Sequence, residues 1–208
     1  MFAKDRDLYV LEPGLHKDVA WYSQRLLNGV GSLVGTQLTL TSGSFVDSGI
    51  AAGHVVLFDD VPMEVVSVES AALATVSLMR SDTGSVAIGG TSASNRKVKV
   101  FGYGPQLGIV HRQVLAMIGV DAEVDGLDES VVTNPGALVR LESLGALYLI
   151  YAGAGVSGKA GEKFELRAKM YKERFANERE RVVAMIDIDG DGIADTSRRP
   201  NAIVLNRA

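Results

Sequence analysis

The chain contains no cysteine, which excludes disulfides, thiol nucleophiles and cysteine-based zinc sites. Histidine is nearly as scarce, with three in 208 residues, and no Ser-His-Asp or Glu-Glu arrangement can be argued from spacing. A non-enzymatic role with no catalytic residue is therefore expected. The opening MFAKDRDLYV lacks the apolar centre of a signal peptide, and on reading the sequence no apolar run reaches the roughly 20 residues of a membrane span. A soluble intracellular protein without a membrane partner is the expectation. A net charge of -4 and a pI near 5.4 argue against a surface built to grip nucleic acid, while leaving room for a local basic patch.

What is present suffices for a core. Hydrophobic residues make up 47% of the chain, and the length suits one large domain or two small ones. Residues 1–14 read as an extended arm ending at Glu12-Pro13-Gly14, too apolar for a solvated tail and expected to lie on a neighbouring subunit or another partner of the assembly. Leu15, Val19, Tyr22 and Leu26 then have helical spacing, with Asn28-Gly29 as the stop. From about Thr36 the period changes to two. TQLTL, HVVLF, MEVVSV, LATVSL and KVKVF are strands separated by turn residues, and a small barrel is the way to cover their apolar face. Arg96, Lys97 and Lys99 read as charges that protect an edge strand, with contact to DNA or an acidic partner as the alternative.

Helical periodicity returns after Gly104-Pro105, with Leu107, Val110 and Val114 on one face and Gly119 as the stop. His111 lies beside that face and is expected to be a core-edge residue with a satisfied ring. Asn134-Pro135 opens a further helix carrying Leu138, Leu141, Leu144, Tyr148 and Tyr151. The last helix is charged except for a stripe of Phe164, Ala168, Tyr171 and Phe175, and at 1.5 Å per residue it runs on the order of 30 Å. The fold class is therefore α+β: a helical bundle of about four helices from residues 1–33 and 101–208, an inserted small β-barrel from 34–100, and a C-terminal β-hairpin.

Gly153 to Lys159 satisfies both the GxGxxG and GxxxxGK patterns, but each needs a buried strand before the glycines. The preceding segment reads as helix, Ala160 stands where a magnesium-binding Ser or Thr belongs, and the glycines are expected to form a turn between antiparallel helices. Forcing the region into a βαβ unit gives a nucleotide-binding enzyme as the least favoured function.

Asp187, Asp189, Asp191, Gly192 and Asp195 form DxDxDGxxD, a spacing at which carboxylates converge on a hard cation. Asp187, Asp189, Asp191, the Ile193 carbonyl and Asp195 are the candidate ligands, and calcium is the candidate ion. Arg198 occupies position twelve, where a helix-loop-helix site needs Glu, so the loop is of the kind carried between strands, here VVAMI and AIVLN. The alternative is a metal-free acidic turn neutralised by Arg198 and Arg199.

The helix TNPGALVRLESLGALYLIY, the charged helix with KMYKERF, and RVVAMIDIDGDGIADTSRR together resemble the C-terminal half of head–tail connector (adaptor) proteins of tailed bacteriophages, over roughly Thr133 to Arg199. The resemblance implies a homo-oligomeric ring, commonly a dodecamer, that docks beneath the portal protein and extends the DNA channel to a tail or stopper protein, without sequence-specific DNA binding. Its implied location is the virion, at the head–tail interface, after synthesis in the host cytoplasm. A calcium-dependent binding or assembly module is the other reading.

Overall fold

The computed structural model describes residues 1–21, 24–120, 126–156 and 161–200. The fold is α+β, with five α-helices, a closed six-stranded antiparallel barrel and a two-stranded hairpin among the described residues. The chain divides into two compact units, Lys4–Tyr103 and Met1–Ala3 with Gly104–Ala208. This differs from the expected division, because residues 4–33 fall with the barrel.

In the first unit, α1 (Asp5–Leu11) and α2 (Leu15–Asp18) precede strands β1 (Arg25–Val34), β2 (Gln37–Ser42), β3 (Val55–Phe58), β4 (Val61–Val68), β5 (Leu73–Ser77) and β6 (Ala93–Phe101). The strand order is β1-β2-β5-β4-β3-β6, closed by antiparallel pairing of β1 with β6. Alternate residues point inward, and Leu33, Leu38, Val56, Met63, Ala74, Val76, Val98 and Val100 form a dry core.

The helix expected from Leu15 to Asn28 is corrected: among the described residues α2 covers a single turn, Leu15–Asp18, and β1 begins at Arg25. Gly29, which reads as a helix stop, and Gly31 are needed where β2 crosses closely. A Cβ on Gly29 would lie 2.3 Å from the Ser42 carbonyl oxygen, and one on Gly31 2.7 Å from that of Thr39. The extended arm is likewise corrected to α1. Leu8 is fully buried, and the Arg6 Nε donates to Glu64 Oε2 at 2.5 Å while Arg80 pairs with the other oxygen of the same buried carboxylate. The arm thus serves its own chain. Barrel closure also removes the expected edge at β6, which is hydrogen-bonded to β1 and β3. Its cations meet the two-residue turn between β3 and β4, with Arg96 3.7 Å from Asp59 and Lys99 3.5 Å from Asp60.

The second unit contains α3 (Gly104–Met117), α4 (Gly136–Val156), α5 (Gly161–Arg181) and the hairpin β7 (Ala184–Ile186) and β8 (Thr196–Arg198). Gly119, at φ 64°, ends the α3 segment in the left-handed conformation that glycine adopts at no steric cost. The α4 and α5 helices run antiparallel: Arg140 meets Glu178, while Tyr151 stacks on Tyr171 with ring centroids 5.8 Å apart. The stripe on α5 is confirmed, with Ala168 and Tyr171 buried and Phe164 and Phe175 half-buried. By length and composition α4 is apolar enough to cross a membrane, contrary to the sequence reading. It packs between α3 and α5 and buries Glu142 completely, as the central helix of a folded core does.

Candidate metal centre

The hairpin loop is positioned by three strands of backbone. Ala184, Met185 and Ile186 pair with Arg198, Ser197 and Thr196. On the other side of β7, Val132 bridges Ile186, Thr133 N donates to the Met185 carbonyl at 2.9 Å, and Asp187 N donates to that of Val131 at 2.9 Å. Asn134 completes the attachment. Its side-chain oxygen accepts from Met185 N at 2.8 Å and its amide donates to the Val183 carbonyl at 3.0 Å, so it works as a strand partner at the entrance to α4. The returning strand is therefore Thr196–Arg198, a correction to the expected AIVLN, which lies outside the described residues. The short return follows from Asp195 N bonding the Ile186 carbonyl at 2.9 Å, which closes the loop at once.

Within the loop, one carboxylate oxygen each from Asp187, Asp189 and Asp195 lies within 4.8 Å of the others, a cluster that could hold a metal ion. Asp187 is buried and the other two are exposed. The Asp191 carboxylate accepts from Ile193 N at 2.7 Å, and the Ile193 side chain is exposed. Backbone amides hold the cluster: Gly192 N and Gly190 N each donate to Asp187 at 2.7 Å, and Ile188 N donates to Asp195 at 2.7 Å. The bond from Gly192, reinforced by that from Gly190, lowers the Asp187 pKa below the ordinary carboxylate value. Gly190 and Gly192 have φ of 79° and 86°, which lets the amides turn inward.

The rival counter-ion is engaged elsewhere. Arg198 Nη1 donates to the carbonyls of Ile118 and Gly119 at 3.0 and 2.5 Å, at the C-terminal end of the α3 segment. Among the described residues, no cationic side chain forms an ion pair with Asp187, Asp189, Asp191 or Asp195.

Neither family models, nor curated proteins, nor solved structures give a match to the chain.

The remaining candidates resolve structurally. Gly153 and Gly155 lie inside α4 rather than in a turn, so the residues before the glycine pattern are helical and no strand feeds a phosphate-binding loop. Gly158 and Lys159 lie outside the described residues. The ring of His111 is satisfied as expected, but by charges that spacing could not reveal. Its Nδ1 lies 2.5 Å from Glu142 and its Nε2 2.7 Å from Glu129. Glu142 also accepts from Ala3 N at 2.5 Å, and Phe2 packs edge-on against the imidazole at 4.9 Å. Burial raises the Glu142 pKa, against the pull of Ala3 N and His111. With both ring nitrogens occupied, this network reads as a structural clamp. The signal that could have found it was Glu142 itself, a charge on the face of α4 shared with Leu138 and Leu141.

Proposed function

We propose that the chain is a structural virion protein, a head–tail connector (adaptor) of a tailed phage. In this reading it forms a homo-oligomeric ring, a dodecamer in the common case, beneath the portal and continues the DNA channel to the tail or stopper protein. The observation that supports it is the continuous arrangement over Thr133 to Arg199. An antiparallel helix pair leads directly into a hairpin that folds back, through Asn134, onto the start of the same pair. Such a unit is suited to presenting α5 and the acidic loop to neighbours. The pairing of Arg96 and Lys99 with Asp59 and Asp60 also suits a channel protein that does not grip DNA. Sedimentation of the purified chain with portal rings tests this reading. Co-migration is expected, and separate migration at all ratios would contradict it.

Calcium is the proposed occupant of the loop, held by Asp187, Asp189, Asp191, Asp195 and the Ile193 carbonyl, with a structural role in fixing the hairpin. Carboxylates this close repel at about 4 kcal/mol per pair of unit charges 4 Å apart at an effective dielectric near 20, and a cation converts that repulsion into ligation. Calorimetric titration of metal-stripped protein should give binding heat that Asp187→Asn with Asp189→Asn abolishes; no heat up to millimolar calcium would leave the amide-satisfied turn. The convergence of three aspartates also favours the second reading, a calcium-dependent assembly module. That reading is distinguished by chelator-sensitive association without portal binding. The least favoured reading, a nucleotide-binding enzyme, lacks its preceding strand among the described residues, because Gly153 and Gly155 lie within α4.

A further inference from the structure

The charges of α5 are sorted by sign onto two faces. Lys163, Arg167, Arg174 and Arg181 follow one another at intervals of four, seven and seven residues, which keeps them on one side of the helix, beside the stripe of Phe164 and Tyr171. Glu178 shares this side, but it is paired with Arg140 of α4 at 3.3 Å. Glu162, Glu173 and Glu180, spaced by eleven and seven, lie roughly 110° further round at about 100° per residue, and all three are exposed. Glu165 and Lys169 border this second face, which stays net negative. Leu166, 64% exposed, sits between the two faces. Within the chain these charges are largely unanswered: among the described residues Arg174 and Arg181 form no ion pair, nor do Glu162, Glu165, Glu173 and Glu180. Two of the cations are held in place by aromatic rings. Arg167 Nη1 donates to the Tyr151 hydroxyl at 2.8 Å, and the Arg174 guanidinium lies over the Tyr171 ring at 5.7 Å.

We propose that α5 is the contact between successive copies of this chain, with the acidic face of one helix meeting the basic face of the next around Leu166. A second copy is the occupant because one helix carries both complementary faces. The seven-residue spacing of Glu173 and Glu180 repeats that of Arg174 and Arg181, so two such helices side by side bring both pairs of opposite charges together. Complementarity of this kind fixes partner and register more than it adds affinity. The two faces differ, so the contact is heterologous: each copy offers its acidic face to one neighbour and its basic face to another, and the series ends when a ring closes. The inference rests on the ring reading above and adds to it the surface through which copies touch.

Particle mass of the purified chain, alone and with portal rings, tests the proposal through two variants at solvent-facing positions: Glu173→Lys with Glu180→Lys, and Arg174→Glu with Arg181→Glu. Each variant alone presents like charges at every contact, and is expected to lose the closed ring or to need a concentration about tenfold higher to form it. An equimolar mixture of the two, in which a helix basic on both faces alternates with one acidic on both, should restore the ring. The chain carrying all four changes, whose faces are exchanged, should also restore it. The same ring from every variant, or loss in each variant with no rescue by mixing, would overturn this contact and leave the ring reading standing. An unmodified chain that stays at 22.1 kDa in both settings would overturn both.

Discussion

Glu142 on α4 and His111 on α3 share a 2.5 Å hydrogen bond in which the carboxylate is fully buried. The pair joins two helices and also receives the N-terminal segment through Ala3 N. Removing the carboxylate would strand a histidine ring and a backbone amide away from water. Glu142→Ala is therefore expected to destabilise the helical unit by about 3 kcal/mol, read from urea unfolding. A loss below about 1 kcal/mol, within the range of an ordinary surface change, would show that the network contributes no more than packing.

Two buried groups in the barrel unit oppose each other in acid. Burial lowers the His16 pKa to about 4 from 6.5, so its contribution is present above pH 6.5 and is lost as pH falls through about 4. Asp5, whose carboxylate accepts from Tyr103 N at 3.0 Å, is raised by burial to about 6 from 3.8. Its contribution is present below pH 3.8 and is lost as pH rises through about 6. Each effect is on the order of 3 kcal/mol at full extent. Measured against the unmodified protein between pH 4 and 6, His16→Phe should gain relative stability toward acid and Asp5→Asn toward neutral pH. Parallel profiles for the two variants would contradict this assignment.

Gly145 of α4 sits where side chains of both α3 and α5 press against it. A Cβ there would lie 2.6 Å from Val110 Cγ1 and 3.0 Å from Phe175 Cε2, on α3 and α5 respectively. Helix propensity favours alanine by about 1 kcal/mol, but overpacking costs about 1–3 kcal/mol, so Gly145→Ala should be neutral to destabilising. Thermal unfolding decides it, and a clear rise in Tm would mean that the helices have room to separate.

These sites also show what could be read from the sequence. The strands from Gln37 onward and the helices α3 to α5 follow from period and turn residues, because their apolar positions face a single core. The failures occur where a long-range partner decides the local structure. Gly29 stops a helix when read locally, yet it and Gly31 permit β2 to approach β1. Nothing local in the sequence announces the partner of Arg6, because Glu64 lies 58 residues along the chain. At the candidate metal centre the spacing was sufficient to bring Asp187, Asp189 and Asp195 together, since a short loop fixes its own geometry. The alternative, Arg198 as their counter-ion, could not be weighed from spacing because its partners, the carbonyls of Ile118 and Gly119, belong to the end of another helix segment.

The central claim is assembly into a ring, and electron microscopy of the purified chain, alone and mixed with portal, addresses it most directly. The connector reading predicts closed rings of uniform copy number, on their own or nucleated on portal. Particles of single-chain mass, 22.1 kDa, under both conditions would contradict it.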